Sequence, residues 1–279
     1  MTVADRRAAV PFLVARGVSE RRACAFLHLH RSTLQYQARP DRNTDLEQRL
    51  QELAQRHPRS GYRRIYALLR RRQRVNQKRI HRLWKRGKLQ VRKHPRRQRT
   101  TLGTGVPVHA THPNHVWTYD FVHDHCLNGT ALKVLTVMDE FTREGLAIEV
   151  ASSLPSSRVL LVLARLFHLH GPPQFLRSDN GPEFIAVAVR GWLAQQQTRT
   201  LYIDPGCPWQ NAYGERFNGT VRDECLNLYV FSSVAEARVQ LERYRREYNE
   251  ERPHSSLGYR TPAEFKRDWW WSQSQPEDL

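Results

Sequence analysis

No stretch of this chain approaches the roughly 20 apolar residues that a membrane-spanning helix needs. The longest candidate, Val159 to Ala164, is bounded by Arg158 and Arg165. Asp5, Arg6 and Arg7 open the N-terminus, and no apolar block of the signal-peptide kind follows them. Both absences predict a cytoplasmic protein with no membrane partner. Cysteine is scarce. Cys24, Cys126, Cys207 and Cys225 are far apart and form no Cys-x-x-Cys pair. Cys24 and His28 are four apart with His30 nearby, but no second pair follows, so a zinc site is excluded and buried reduced thiols are expected. Acid is missing over a long span. Between Leu53 and Tyr119 there is no Asp or Glu, while Arg56 to Arg99 holds 19 Lys and Arg. The chain carries 45 basic and 27 acidic residues, a net charge of +18, and outside that segment 26 basic residues face 27 acidic ones. The excess positive charge is therefore one block. A stretch this one-sided repels itself unless a polyanion joins it.

What is present is enough for a globular protein: 279 residues, 39% of them hydrophobic, allow one good core and one or two small satellites. Residues 6–15 predict a first helix ended by Gly17. Ser19 is placed to cap a second helix over 20–27, and Ser32 a third over 33–36. That is a helix-turn-helix pattern, shared by any small three-helix bundle. A second helical unit follows over 44–90. Leu46, Leu50, Leu53 and Ala54 keep helical spacing, Pro58 to Gly61 breaks it, and Tyr62, Ile65, Tyr66, Leu68 and Leu69 form the next stripe. Ile80, Leu83 and Trp84 point inward from a helix that Gly87 stops. Basic residues face outward, and Arg63, Arg64, Lys78, Arg79, Arg82 and Lys85 are the candidate DNA contacts, suited to phosphate and not to base sequence. Residues 92–113 lack periodicity and predict a linker.

From His115 onward the signals are those of strands. Residues 116–122, 132–138 and 145–150 predict three strands, with 139–144 turning the second into the third as a hairpin. A helix over 156–170, ended by Gly171-Pro172-Pro173, leads to a strand over 175–179. A helix over 183–197, a strand over 201–203 and a helix over 211–226 complete the series. The class is α/β: a mixed sheet with helices on its faces, and ligands expected at strand ends.

Three acids interrupt segments that otherwise want burial. Asp120 stands in Trp-Thr-Tyr-Asp, Asp179 in Arg-Ser-Asp-Asn-Gly-Pro-Glu-Phe, and Glu215 in Asn-Ala-Tyr-Gly-Glu-Arg-Phe-Asn. An unpaired Asp inside a strand costs several kcal/mol, though a strand-end acid facing water is the plainer explanation. Asp179 precedes Asn180-Gly181, a pair suited to a tight turn with positive φ. Pro182 then opens a helix whose dipole favours Glu183 in its first turn. Glu215, Asn218, Gly219 and Arg222 share one helix face, while Phe217, Val221, Cys225 and Leu228 share the face expected to pack on the sheet. Carboxylates brought together repel unless a cation joins them. Converging acids of this kind suggest divalent metal and phosphoryl transfer.

Taken together, the acids with 35 residues between Asp179 and Glu215, the Ser-Asp-Asn-Gly-Pro-Glu-Phe block, the Glu-Arg-Phe-Asn-Gly-Thr-Val-Arg-Asp-Glu-Cys-Leu-Asn run and the late Tyr-Asn-Glu-Glu-Arg-Pro-His-Ser-Ser-Leu-Gly-Tyr-Arg-Thr-Pro-Ala-Glu-Phe stretch at 248–265 resemble bacterial insertion-sequence transposases of the OrfB class. That group shares the retroviral-integrase catalytic core, and the likeness covers nearly the whole chain. The resemblance implies an RNase H-like core with a DDE triad at Asp120, Asp179 and Glu215, holding two Mg²⁺ (or Mn²⁺) ions. It also implies DNA contacts at Arg222 and Asn218. The expected partners are double-stranded DNA (terminal inverted repeats and target), further copies of the chain on DNA, and an upstream-frame protein of the OrfA type, in a nucleoid-associated setting. The implied domains are a helix-turn-helix unit over 1–40, a basic helical DNA-binding domain over 41–91, the linker, a catalytic core over 114–230 and a C-terminal helix and tail over 231–279. Two departures stand out: Arg216 where this group more often has Ser, and no zinc-binding module of the retroviral kind. Two other readings stay open, an RNase H-like nuclease without strand transfer and a catalytically silent DNA-binding regulator. The basic helical units and the Arg-Pro-His motif favour the transposase over the first, and the intact triad disfavours the second. Trp269 to Trp271 fits an interface or packing on its own core equally well.

Overall fold

The computed structural model describes residues 1–37, 43–91, 108–179, 181–203 and 208–274. Cys207, Asn180 and most of the expected linker lie outside them. The chain divides into two compact units, Met1–Arg49 and Leu50–Leu279.

In the first unit, α1 (Val3–Val14) opens on a capping box. The Asp5 amide donates to Thr2 Oγ1 at 3.2 Å, and the Thr2 amide to the Asp5 carboxylate at 2.8 Å. Helices α2 (Glu20–Phe26) and α3 (Arg31–Gln35) follow, and Val10, Ala23, Cys24 and Leu29 form a small core. Two expected caps are corrected. Ser19 precedes α2 without a side-chain cap bond. Ser32 sits inside α3, because the amides of Thr33 and Leu34 already reach the His30 carbonyl at 2.9 and 3.1 Å.

Helix α4 (Thr44–Arg56) runs into the second unit, where α5 (Tyr62–Arg70) and α6 (Gln77–Arg86) pack. Asn76 caps α6 through the Lys78 amide at 2.8 Å. Ile65, Leu69, Ile80, Leu83 and Trp84 are buried, as the periodicity predicts. Lys78, Arg82 and Lys85 line the exposed side of α6, and Arg79 is half-buried.

The sheet comprises β1 (Val116–His125), β2 (Ala131–Asp139), β3 (Gly145–Ala151), β4 (Phe175–Ser178) and β5 (Arg199–Tyr202), in the order β3-β2-β1-β4-β5. The first three pair antiparallel, β4 runs parallel to β1, and β5 parallel to β4. This is the RNase H-like arrangement. Asp139 builds the β2–β3 hairpin by accepting the Phe141 and Thr142 amides at 2.9 and 2.8 Å. Trp117 and Tyr119 of β1 bury with α7 (Ser156–His170), α8 (Pro182–Ile185) and α9 (Val187–Gln195) in one core. Val122 buries in the other, with α10 (Ala212–Glu224) and α11 (Val234–Glu250). Strand alternation thus gives β1 two buried faces. A last helix, α12, spans Pro262–Ser274. Among the described residues, no helix is long and apolar enough to cross a membrane.

Two helical expectations are corrected. The helix expected over 183–197 is two, broken at Ala186 with ψ of 134°, where Phe184 turns inward to stack on Phe121 at 4.7 Å. The helix expected over 211–226 ends at Glu224, so Leu228 falls on a separate 3₁₀ turn and is exposed.

Candidate active site

The sheet topology sets two of the three acids side by side. In the β1–β4 register, Thr118 is level with Arg177. Continued two residues along both strands, it sets Asp120 level with Asp179 just beyond β4. Asp179 accepts the Gly181 amide at 3.0 Å. Gly181 itself has φ of −57°, so the expected positive φ is absent there. Pro182 opens α8 as predicted. Glu183 does more than satisfy a helix dipole: it pairs with Lys133 of β2, whose ammonium holds its carboxyl below the usual range.

Glu215 comes from the first turn of α10, and Gly214 allows that turn to lie on β1. A Cβ at Gly214 would stand 2.7 Å from Asn211 Oδ1 and 2.8 Å from Thr118 Oγ1. The Thr118 hydroxyl donates to that same Asn211 side chain. Further along α10, Phe217 and Val221 bury against the sheet, followed by Cys225. From the β4 side, Arg177 is buried 2.8 Å from Glu140, as an ion pair without hydrogen-bond alignment. It donates to the carbonyls of Gln210 and Val108 at 2.7 and 2.6 Å. The strand that leads into Asp179 is thereby tied to the turn that leads into α10.

Asp120 is strongly perturbed. Burial pushes its carboxyl up to about 6, and the charges of Asp179 and Glu215 push the same way. Two donors oppose them: the Phe121 amide at 2.7 Å and the Asn218 amide group at 2.9 Å. Thr136, directly across from Asp120 on β2, donates to Asn218 Oδ1 at 2.6 Å and so turns the Asn218 NH₂ toward Asp120. Asn218, which the sequence places among the DNA contacts, is engaged inside the site. The sequence does not single out Thr136, since threonine is common in strands. Among the described residues, no three His, Cys, Asp or Glu side chains are gathered tightly enough to enclose a metal ion.

The other candidates divide. Arg222 is exposed and donates to the His123 carbonyl at 2.8 Å. Arg63, Lys78, Arg82 and Lys85 are exposed. Arg64 is committed within the protein: it meets Glu224 at 2.7 Å, as Arg252 also does at 2.6 Å. Four more members of the basic segment pair with acids of the second half: Arg56 with Glu251, His57 with Glu247, Arg59 with Asp223 and Arg71 with Glu264, at 2.7, 3.2, 3.2 and 2.6 Å. Part of the charge block therefore docks the helical module onto the core.

Integrase core domain family models match residues 110–208 and 196–262, and an HTH-like domain model matches residues 40–98. The chain is 42% identical over 250 residues to the insertion element IS407 uncharacterized 31.7 kDa protein of Burkholderia multivorans, covering 89% of this chain and 90% of that protein. It is 28% identical over 255 residues to the putative transposase InsK for insertion sequence element IS150 of Escherichia coli, covering 85% of this chain and 89% of that one. Among solved structures, the HTLV-2 integrase catalytic core domain in complex with magnesium aligns with a TM-score of 0.45 at 16% identity, covering 56% of this chain and 97% of that domain. Integrase core proteins are divalent-metal-dependent and, like HTH-like domains, act on DNA. This chain belongs to the integrase core family of insertion-sequence transposases.

Proposed function

We propose that the chain cuts and joins DNA strands at an insertion-sequence end, with Asp120, Asp179 and Glu215 as its catalytic carboxylates. The observation that carries this reading is Asp120: a half-buried acid that the β1–β4 register sets level with Asp179, and whose charge both other acids oppose. A cation would relieve that repulsion, and a donor set made only of carboxylate oxygens suits a hard divalent ion. Asp120, Asp179 and Glu215 are the residues that would hold two Mg²⁺ (or Mn²⁺) ions. Ions held there would activate the attacking water or 3′-hydroxyl and stabilise the leaving 3′-oxygen. The chain's own part is to hold the acids: Asn218 and Thr136 orient Asp120, Gly181 orients Asp179, and Gly214 seats the turn that carries Glu215. No covalent protein intermediate is needed. Arg222 at the rim is the proposed phosphate contact within the core, and Lys78, Arg82 and Lys85 those of the helical module. The domain division given by the sequence, a homo-oligomer bridging two terminal repeats, a target duplex, an OrfA-type partner and a nucleoid location complete the proposal.

The test is an assay on labelled duplex carrying the element's terminal inverted repeats. The wild-type chain is expected to give cut and joined products with Mg²⁺. Asp120→Asn, Asp179→Asn and Glu215→Gln should each give neither while still binding DNA. Cutting without joining would assign a nuclease, and binding alone a regulator. Joining by any acid variant would sink the assignment.

A further inference from the structure

A groove of roughly 670 Å³ lies between α5 and the segment that runs from the turn at Gly258 into α12. Arg63, Tyr66 and Arg70 line it from α5, and Tyr259 and Arg267 from the other side. Its acids are already engaged: Glu264 holds Arg71 at 2.6 Å, and Asp268 holds Arg260 at 3.1 Å. Arg70 and Arg267 are exposed and have no ion-pair partner among the described residues. Arg63 is exposed, donates to the Tyr62 hydroxyl at 3.2 Å and also reaches Tyr259.

The turn that delivers Tyr259 is unusual. Gly258 and Tyr259 both have φ of 64°. A tyrosine rarely adopts the left-handed region, and such strain persists only where its surroundings enforce it. Here the Tyr259 amide donates to the His254 carbonyl at 2.8 Å, and the His254 amide to the Arg260 carbonyl at 3.0 Å. The result is a tyrosine at the groove wall with two unengaged guanidinium groups on opposite sides. Arginines and tyrosine hydroxyls without a carboxylate to satisfy them are phosphate ligands.

The geometry points to this groove as a binding site for the phosphodiester backbone of duplex DNA, built jointly by α5 and the Tyr259–Arg267 segment and separate from the three acids. The assignment rests on the reading that DNA is the substrate. It gives the Gly-Tyr-Arg-Thr-Pro stretch a role, because that stretch forms the second wall of a site whose first wall is the basic helical module.

The test is fluorescence anisotropy of the full chain on two unrelated duplexes in magnesium-free buffer over a range of salt. The double variant Arg70→Ala/Arg267→Ala is expected to bind both duplexes more weakly, and alike. The slope of log K against log salt should fall by about 1 for each arginine removed. Arg70→Lys/Arg267→Lys should keep most of the slope, since a phosphate accepts either cation. Wild-type affinity and slope in the alanine pair would overturn the groove. So would an equal loss in Arg158→Ala/Arg165→Ala on α7, which removes the same charge elsewhere. Because the readout is binding alone, such a failure leaves cutting and joining untouched. A chain that loses binding as expected but never joins strands would overturn only the reading of the acids.

Discussion

Two neutral donors, the Phe121 amide and the Asn218 side chain, hold Asp120 while Asp179 and Glu215 act against its charge. On the proposed reading these bonds make Asn218 a positioning residue for Asp120, a role that measurement can separate from the DNA contact expected of it. Asn218→Ala is expected to lower Mg²⁺-dependent cutting by about 10- to 100-fold, the usual loss for a residue that orients a metal ligand, with DNA affinity unchanged. Thr136→Val, which frees the Asn218 side chain to turn, should act in the same direction and less strongly. Weakened DNA binding with normal cutting would instead assign Asn218 to the DNA surface. The three acids were legible because each breaks an apolar or turn pattern. Thr136 was not, because threonine is at home in strands, and only the β1–β2 register shows what its hydroxyl faces.

Among the elements, the tail beyond α10 is where chemistry-like residues prove structural. Arg252 of the Arg-Pro-His motif places its guanidinium on Glu224 at the end of α10, where Arg64 of α5 also arrives. One carboxylate thus links α5, α10 and the end of α11. His254 lies against Tyr248 with ring centroids 4.7 Å apart and accepts from Arg252. Burial, with Arg252 and Arg64 beside it, pushes its imidazole down to about 3. It stays neutral in the fold but takes a proton in the unfolded chain below about 6.5. Stability is therefore lost as pH falls through that window, by about 1.4 kcal/mol per pH unit. Urea unfolding at about pH 7 and pH 4.5 should show His254→Gln losing roughly 3 kcal/mol less than the wild-type chain over that interval; parallel losses would contradict it. The hairpin at Asp139 and the helix over 156–170 were legible from turn residues and periodicity. The break at Ala186 was not, since no glycine or proline marks it and the cause is Phe184 seeking the Phe121 ring.

For the whole molecule, the composition shows a basic block ahead of an α/β core, but not that the core answers it. Asp223, Glu224, Glu247, Glu251 and Glu264 take up Arg59, Arg64, His57, Arg56 and Arg71. These pairs join residues so far apart in sequence that no local pattern connects them, and among the described residues they leave α6 and the groove beside α5 as open basic surface. The helical module is thereby fixed to the unit that carries the three acids, which suits a protein that must hold DNA while cutting it. All of this turns on the acids forming one metal site. The direct measurement is Mn²⁺ binding to the full chain by electron paramagnetic resonance, in wild type and in Asp120→Asn, Asp179→Asn and Glu215→Gln. Two ions are expected on the wild-type chain, with binding weakened at least about tenfold by each substitution and most by Asp120→Asn. Unchanged Mn²⁺ binding in all three variants would contradict the account.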